Sequence, residues 1–394
     1  MKKQTQAIHL EYERRDAYDS LSVPVYNTLA YEFDNAAVMA EAFTDKIKAP
    51  DYSRVENPTV TNLERRVAAL TDAAHATAFN SGMAAISNTL MALAAQGKNI
   101  VTSKHLFGNT YALLVATLRR FGVKVHLRDL TNIEAVREAI DNDTCCVFLE
   151  ILTNPQLEVA DLKAISEVAH EKNVPLVVDS TVIPFTQFSA KSLGVDIEVV
   201  SSSKYVSGGA TSLGGLVIDY GTPYNGDFAK RLYGEMLFNF GAYMTPQVAY
   251  MQTIGLETLD ARYRVQSSNA LELAKKLRSQ PQIKYVNYVG LEDNPYHELA
   301  QRQFGKTAGA MICIDLESKE ACFSFLNNLK LIHRATNLFD NRSLAIHPAS
   351  TIFGAFSESM RKSMDVKDTT IRLSIGLEDV DDLFEDIKQA VDSL

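Results

Sequence analysis

The sequence predicts an α/β protein, with a mainly parallel seven-stranded sheet domain followed by a smaller C-terminal α/β domain. Short β-rich runs alternate regularly with helix-like segments from Thr61 onward. Several of those runs are apolar throughout, as expected of strands buried on both faces of a parallel sheet. A second, shorter alternation of strand and helix follows residue 256, and strands alternating with helices favour parallel pairing.

Residues 1–60 read as an irregular arm, punctuated by Pro24, Asn27, Asn35, Pro50, Asn57 and Pro58. Tyr26, Tyr31, Phe33 and Phe43 make it too apolar for a disordered tail, so the arm is expected to pack on a neighbouring subunit. Residues 61–255 form the first domain. Its helix-like segments are Thr61–Leu70, Ala84–Gln96, Thr110–Arg120, Ile133–Ile140 and Asp161–Glu171. Its strand-like runs are Ala76–Phe79, Asn99–Ser103, Val123–Leu127, Cys145–Leu152, Leu176–Asp179, Ile197–Ser201 and Gly214–Ile218. Thr245–Gly255 and the following Leu256–Arg278 read as one long amphipathic helix leading into the second domain, residues 256–394. There, Ile283–Val289 and Ala310–Leu316 read as strands, Lys319–Leu329 and Val380–Val391 as helices.

The chain has 394 residues, 46% of them hydrophobic and 22% charged, as in ordinary globular proteins. A net charge of −9 argues against nucleic acid or an anionic membrane as partner. No apolar run is long enough to cross a bilayer, and the N-terminal residues lack the apolar stretch of a secretory signal. Cys145, Cys146, Cys313 and Cys322 form no C-x-x-C and read as reduced thiols in a cytoplasmic protein. No spacing of His or Cys suggests a metal.

In parallel sheets ligands bind beyond the carboxyl ends of the strands, so the residues after each run carry the functional reading. Ser81-Gly82-Met83 follows the first run and opens a helix, a place for an anion because free N–H groups and the helix dipole face outward. An ordinary N-cap by Ser81 gives the same pattern. Asn154 offers an amide after the fourth run. Asp179, ending an apolar strand with Ser180 and Thr181 behind it, points to a partner cation. Lys204 follows Ser201 and Ser203, with no acidic neighbour from Val199 to Ile218. A crowded lysine shifts toward its neutral, nucleophilic form, ready for an aldehyde; alone, the stretch also reads as a turn with a solvated lysine. Phosphate cradle, ring acid and aldehyde-reactive lysine are together what pyridoxal 5'-phosphate requires.

These motifs resemble the transsulfuration (Cys/Met metabolism) family of pyridoxal-phosphate enzymes, and the resemblance runs from about Tyr26 to the C-terminus. Tyr52-Ser-Arg54 with Asn57-Pro-Thr59 is similar to a family loop that reaches the phosphate in a neighbouring subunit. Ser81, Gly82 and Met83 match the phosphate turn, and Asn154 the amide near the cofactor's phenolic oxygen. Asp179 matches the partner of the ring nitrogen, with Thr181 in the same turn. Ser201-x-Ser203-Lys204 matches the lysine motif, and Arg372-Leu-Ser-Ile-Gly376 the strand whose arginine clamps a substrate carboxylate, a job suited to a guanidinium fork. The implied fold is the aspartate-aminotransferase-like fold type I of pyridoxal-phosphate enzymes, generally a homotetramer built from dimers that share active sites.

The sequence departs from the family pattern twice. Phe107 stands in Leu106-Phe-Gly-Asn-Thr110 where a tyrosine is usual; it can stack on the cofactor ring but offers no phenol. Tyr52, Tyr111 or Lys204 would take that share of the proton handling. Asn337-Leu-Phe-Asp340 replaces Ser-Leu-Gly-Asp, so Asn337 joins Asn154 and Arg372 as a candidate substrate contact and Phe339 takes a glycine position close to the pocket. Within the family, Gly255–Leu259, Val286–Leu291, Pro295–Leu299 and Ser343–Thr351 look most like O-acetylhomoserine sulfhydrylases. The implied reaction converts O-acetyl-L-homoserine and sulfide to homocysteine and acetate, with cystathionine γ-synthase and methionine or homocysteine γ-lyase as alternatives. His297 and His347 sit in motifs read as structural. A nucleotide-binding reading lacks its signature, since no Gly-x-Gly-x-x-Gly occurs.

Overall fold

Alternate residues along the middle strands bury opposite faces of one sheet. In a computed structural model that describes residues 1–10, 16–44, 46–306 and 308–394, Val147 and Leu149 pack into one apolar cluster and Cys146 and Phe148 into another. Val177 and Val178 divide in the same way. Both faces are therefore dry, which is why these runs carry no polar alternation.

The strands are β1 His75–Phe79, β2 Asn99–Ser103, β3 Lys124–Arg128, β4 Thr144–Glu150, β5 Leu176–Asp179, β6 Ile197–Val200 and β7 Gly215–Asp219. Their spatial order is β1-β7-β6-β5-β4-β2-β3. All neighbours are parallel except β7, which runs antiparallel to both β1 and β6. The helix Gly82–Leu93 packs on β6 and β7. Its Leu90 is fully buried, and truncation to alanine there costs about 2–5 kcal/mol.

A second sheet comprises β8 Tyr285–Asn287, β9 Met311–Asp315, β10 His333–Arg334, β11 Leu344–Ile346 and β12 Thr370–Ser374, in the order β10-β11-β12-β9-β8. The helices Leu259–Leu277 and Lys319–Asn328 pack on it, and Val380–Val391 packs on those two helices. Strands β10 and β11 are two and three residues long, too short for a period-two pattern to be visible in the sequence.

Two expectations change. The helix expected to run unbroken to Arg278 divides into Pro246–Glu257 and Leu259–Leu277 at Thr258, whose φ and ψ are −104° and 1°. Arg262, buried without a carboxylate partner among the described residues, draws the break closed. Its Nη2 donates to Gly255 O and Tyr205 O, both at 2.7 Å, and its Nε to Thr258 Oγ1. Gly255 is needed there, because a side chain would collide with the Val206 carbonyl. The arm expected to be irregular contains two short helices, Lys3–His9 and Ala36–Ala42. The second starts at Asn35, whose Oδ1 accepts from the N–H groups of Ala37 and Val38. The first is held by tertiary contacts: Lys3 Nζ donates to Phe188 O at 2.9 Å and Arg66 Nη1 to Ala7 O at 2.7 Å. Residues 11–15 and 45 of that arm lie outside the described residues.

Candidate active site

The carboxyl ends of β4, β5 and β6 open into a cavity of about 550 Å³. Ser81, Gly82, Met83, Phe107, Asn154, Asp179, Thr181, Ser201, Ser203, Lys204, Asn337 and Arg372 all line it. The first ten come from the large sheet and its loops, the last two from the second lobe.

Ser81 caps the helix Gly82–Leu93, its Oγ accepting from Ala84 N at 3.1 Å. The N–H groups of Gly82 and Met83, in the first turn, have no acceptor within the helix. A Cβ on Gly82 would come within 2.6 Å of the Ser201 side chain, so only glycine lets the helix terminus and the lysine turn close around one small space. Thr181 ties the next turn together, its N–H donating to Asp179 Oδ1 at 2.9 Å and its Oγ1 accepting from Ser201 N at 2.8 Å. Ser203 borders the cavity, but its hydroxyl donates to Gly214 O and accepts from Gly214 N. It therefore braces the turn.

Lys204 Nζ donates to Asn337 Oδ1 at 2.7 Å. Burial, reinforced by the Arg372 guanidinium, lowers the amine to about 8, which leaves about a tenth of it neutral at pH 7. Arg372 is buried, and no carboxylate pairs with it among the described residues. Its Nη1 donates to Asn154 Oδ1 at 3.2 Å and its Nη2 to Asn337 O at 3.1 Å, while Nε has no partner. A buried cation satisfied only by neutral groups is costly unless an anion joins it. Such an arrangement suits a carboxylate ligand.

Asp179 faces Glu150 across the β4–β5 ladder. Burial raises both carboxyls, and Asp179 raises Glu150 further, to about 8. Two buried carboxyls facing each other oppose ionisation of both at once, and Asp179 has no cationic side chain as partner among the described residues. Glu150 is a site residue that the sequence pattern did not single out, although a carboxyl ending an apolar strand is the same signal that marks Asp179. It also accepts from Phe107 N at 2.5 Å, which anchors the Phe107 loop to the strand end. Leu213, Thr351 and Ile352 are further wall residues that no sequence pattern marks.

Several candidates fall outside the cavity. Tyr52, 39% exposed, is absent from its wall. Arg54 Nη1 donates to Phe238 O at 2.6 Å, and Arg54 borders a separate small hollow with Ser53 and Glu64. Tyr111 packs edge-on against Phe356, their centroids 5.9 Å apart. Phe339, expected close to the pocket, is instead fully buried behind it, stacked on Tyr205. Its φ of 59° is left-handed, which costs an L-residue about 1–2 kcal/mol; burying the ring offsets this by about 1.5–3 kcal/mol. His347 is engaged with Ser350 Oγ and Asp368 O, and His297 with Val289 O and Gln301.

The donor set fits pyridoxal phosphate: a partly neutral amine, a carboxylate lacking a cation, and a helix terminus closed by glycine. Comparison with known proteins agrees. The family described as Cys/Met metabolism PLP-dependent enzyme matches residues 4–392. An L-methionine gamma-lyase of Fusobacterium nucleatum subsp. polymorphum is 37% identical, over 99% of this chain and 98% of that protein. An O-acetyl-L-homoserine sulfhydrylase of Corynebacterium glutamicum is 31% identical over 98% and 95%. A crystal structure of a proposed O-acetylhomoserine (thiol)-lyase from Campylobacter jejuni superposes with a TM-score of 0.95 at 34% identity, covering all of both chains. That chain carries N'-pyridoxyl-lysine-5'-monophosphate at its own position 205.

The protein is an enzyme of fold type I that depends on pyridoxal phosphate. The chain belongs to the Cys/Met metabolism family of PLP-dependent enzymes.

Proposed function

We propose that the enzyme carries out γ-replacement in the cytoplasm, converting O-acetyl-L-homoserine and sulfide to L-homocysteine and acetate. One observation carries this reading: among the described residues, no phenol, thiol or imidazole lines the cavity. A departing thiolate, with a thiol value near 8.5, calls for a proton donor, whereas a departing carboxylate, with an acid value near 4, leaves as the anion. Among the described residues of the wall only Lys204 and the raised carboxyls Glu150 and Asp179 could donate one, and the acyl ester, which needs no donor, makes the smaller demand.

Pyridoxal phosphate, when bound, supplies an electrophilic carbon for amines and a ring that takes up the electron pair released at Cα. Lys204 would hold the cofactor through its aldehyde carbon, and Asp179 would supply the carboxylate that favours a protonated ring nitrogen. Ser81, Gly82, Met83 and Ser201 form the phosphate end, with Ser203 bracing the turn that carries Ser201. Phe107, on the cavity wall, would border the ring. Arg372, with Asn154 and Asn337, binds the substrate carboxylate and fixes which Cα–H faces the amine. Lys204 would take the Cα proton and hand it on to the bound cofactor; neutral again, the same amine would be carried by its flexible stem to take a proton from Cβ. Acetate then leaves from Cγ, sulfide adds there, and Lys204 returns protons to Cβ and Cα. In this reading Tyr52 and Arg54 complete the site of a neighbouring copy within a homotetramer, which accounts for their distance from the cavity of their own chain.

The second reading, elimination from methionine, is favoured by the 37% identity to an L-methionine gamma-lyase. It requires a proton for the thiolate, which Lys204, Glu150 or Tyr52 of a neighbouring copy would have to supply. Purified enzyme given O-acetyl-L-homoserine with sulfide, O-acetyl-L-homoserine with cysteine, or methionine alone separates the readings. Homocysteine from the first mixture is expected. Cystathionine from the second would favour cysteine as the nucleophile, and 2-oxobutyrate alone from all three would remove γ-replacement.

A further inference from the structure

Phe339 takes no part in the reaction described, yet it sits at a junction. Its ring stacks on that of Tyr205, centroids 3.9 Å apart and planes within 10°, and Tyr205 directly follows Lys204. The other contacts of Tyr205 are firm. Tyr263 packs edge-on at 5.2 Å, and the Tyr205 carbonyl accepts from Arg262 Nη2 at 2.7 Å. Phe339 N donates to Ser374 Oγ at 2.7 Å, at the end of the strand that carries Arg372. The next residue, Asp340, accepts at its carbonyl from Gln266 Nε2 at 2.7 Å. Two residues before Phe339, Asn337 receives the Lys204 amine on its side chain and the Arg372 guanidinium on its carbonyl. One ring thus couples the turn that presents the amine to the loop that meets it from the opposite lobe.

We propose that Phe339 is a positioning residue: its ring, seated on Tyr205, fixes the Asn337–Leu338 loop against Lys204. It thereby sets where the free amine rests and how wide the cavity is beside Arg372. The backbone alone does not accomplish this. Glycine would adopt the same left-handed φ without strain, but it would leave the face of Tyr205 uncovered and remove the ring contact that ties this residue to the lysine turn. The inference rests on the assignment of Lys204 as the reacting amine and of Asn337 and Arg372 as carboxylate contacts, and it does not depend on which γ-substituent is exchanged.

The test uses cofactor-loaded enzyme with Phe339→Gly and Phe339→Leu. The absorbance of the bound cofactor is titrated with pH in the absence of substrate. Binding of glycine, which has a carboxylate and no γ-leaving group, is followed by the same absorbance. Phe339→Gly is expected to shift the titration midpoint by about half a pH unit or more. It should also weaken glycine binding about tenfold, the scale of one misplaced hydrogen-bonding group, with Phe339→Leu intermediate. A Phe339→Gly enzyme with a lower Tm but an unchanged midpoint and glycine affinity would reduce Phe339 to packing and overturn the proposal. Should the glycine variant fail to fold, Phe339→Leu with both readouts unchanged overturns it equally. Neither measurement uses an acylhomoserine, so failure of the γ-replacement reading would leave this outcome intact.

Discussion

The two walls of the cavity are built on different principles. The wall from the large sheet gathers Asn154, Asp179 and Ser201–Lys204 just beyond the ends of parallel strands. There hydrogen-bonded register sets each position: Glu150 lies opposite Asp179, and Asp179 opposite Val199. The wall from the second lobe comprises the Thr336–Leu338 loop, Thr351, Ile352 and Arg372, which lies in the middle of β12. Nothing periodic places these residues. Arg372 is held by neutral oxygens, and the loop by a phenylalanine in a left-handed conformation. The cofactor wall is therefore rigid by construction. The substrate wall is a buried charge and a loop held by packing, and it is where relatives with the same cofactor can diverge.

The largest effect is expected on the first wall. Lys204→Ala should abolish turnover, by at least the roughly 10²–10⁴-fold of a lost acid–base group, and the protein should form no covalent, borohydride-reducible adduct with pyridoxal phosphate. Retained adduct formation would place the reactive amine elsewhere. On the second wall, Arg372→Met should lower kcat/KM about a hundredfold or more, the scale of a truncated buried charge contact. It should also act across the cavity. Burial first, and the guanidinium second, depress the Lys204 amine to about 8; with the guanidinium gone the amine rises. The pH at which cofactor-free protein captures pyridoxal phosphate half-maximally should then move upward. An unchanged midpoint would mean that the walls are electrostatically independent.

A smaller effect is expected where the walls are joined. Buried His105, in the loop that leads to Phe107, has Nδ1 3.2 Å from Glu158 Oε2 and Nε2 2.7 Å from Asp365 Oδ2. Lys104 pairs with Asp365, and Tyr296 donates to Glu158 at 3.4 Å. Burial alone pulls the imidazole down, but the two carboxylates together outweigh it and hold the group above its ordinary value of 6.5. A raised folded-state value means that the stabilisation is complete below the unfolded value and is lost as pH rises through the folded one. Because Asp365 is largely exposed, the contribution is about 1 kcal/mol. The Tm of the wild type should fall more than that of His105→Asn as pH rises from 6 through 9. Parallel curves would show that the imidazole titrates alike in the folded and unfolded chain, so that the two carboxylates add no net stability.

The smallest effect is expected from Phe107→Tyr, which adds a hydroxyl at the mouth of the cofactor wall and should change kcat by no more than about threefold. Loss of nearly all activity would mean that Phe107 does not lie along the cofactor ring.

Much of the first wall was legible in the sequence, because dry parallel strands declare themselves as uninterrupted apolar runs and polar residues that end such runs have few other reasons to be there. Ser81, Asp179 and Lys204 are found in this way. Glu150 carries the same signal, but the chemistry of the cofactor calls for a single carboxylate. Its coupling to Asp179 depends on lying across a ladder from it, a relation between residues 29 positions apart. The second wall was reachable only through family resemblance. Arg372, in a short strand, and Asn337, in a loop, show no periodicity that marks them.

By itself, the order of apolar runs and strand-end polar residues determined the α/β class, the large sheet, and the turn in which Lys204 presents its amine, since strand pairing and helix capping act locally on the chain. Only the tertiary structure decided that the helix breaks at Thr258 and that Ser203 braces Gly214. It also decided that Tyr52 and Arg54 lie outside the cavity of their own chain, and that Phe339 sits behind the pocket against Tyr205. Each of these depends on which distant group takes a given hydrogen bond or covers a given face, and that choice is made only in the packed tertiary structure.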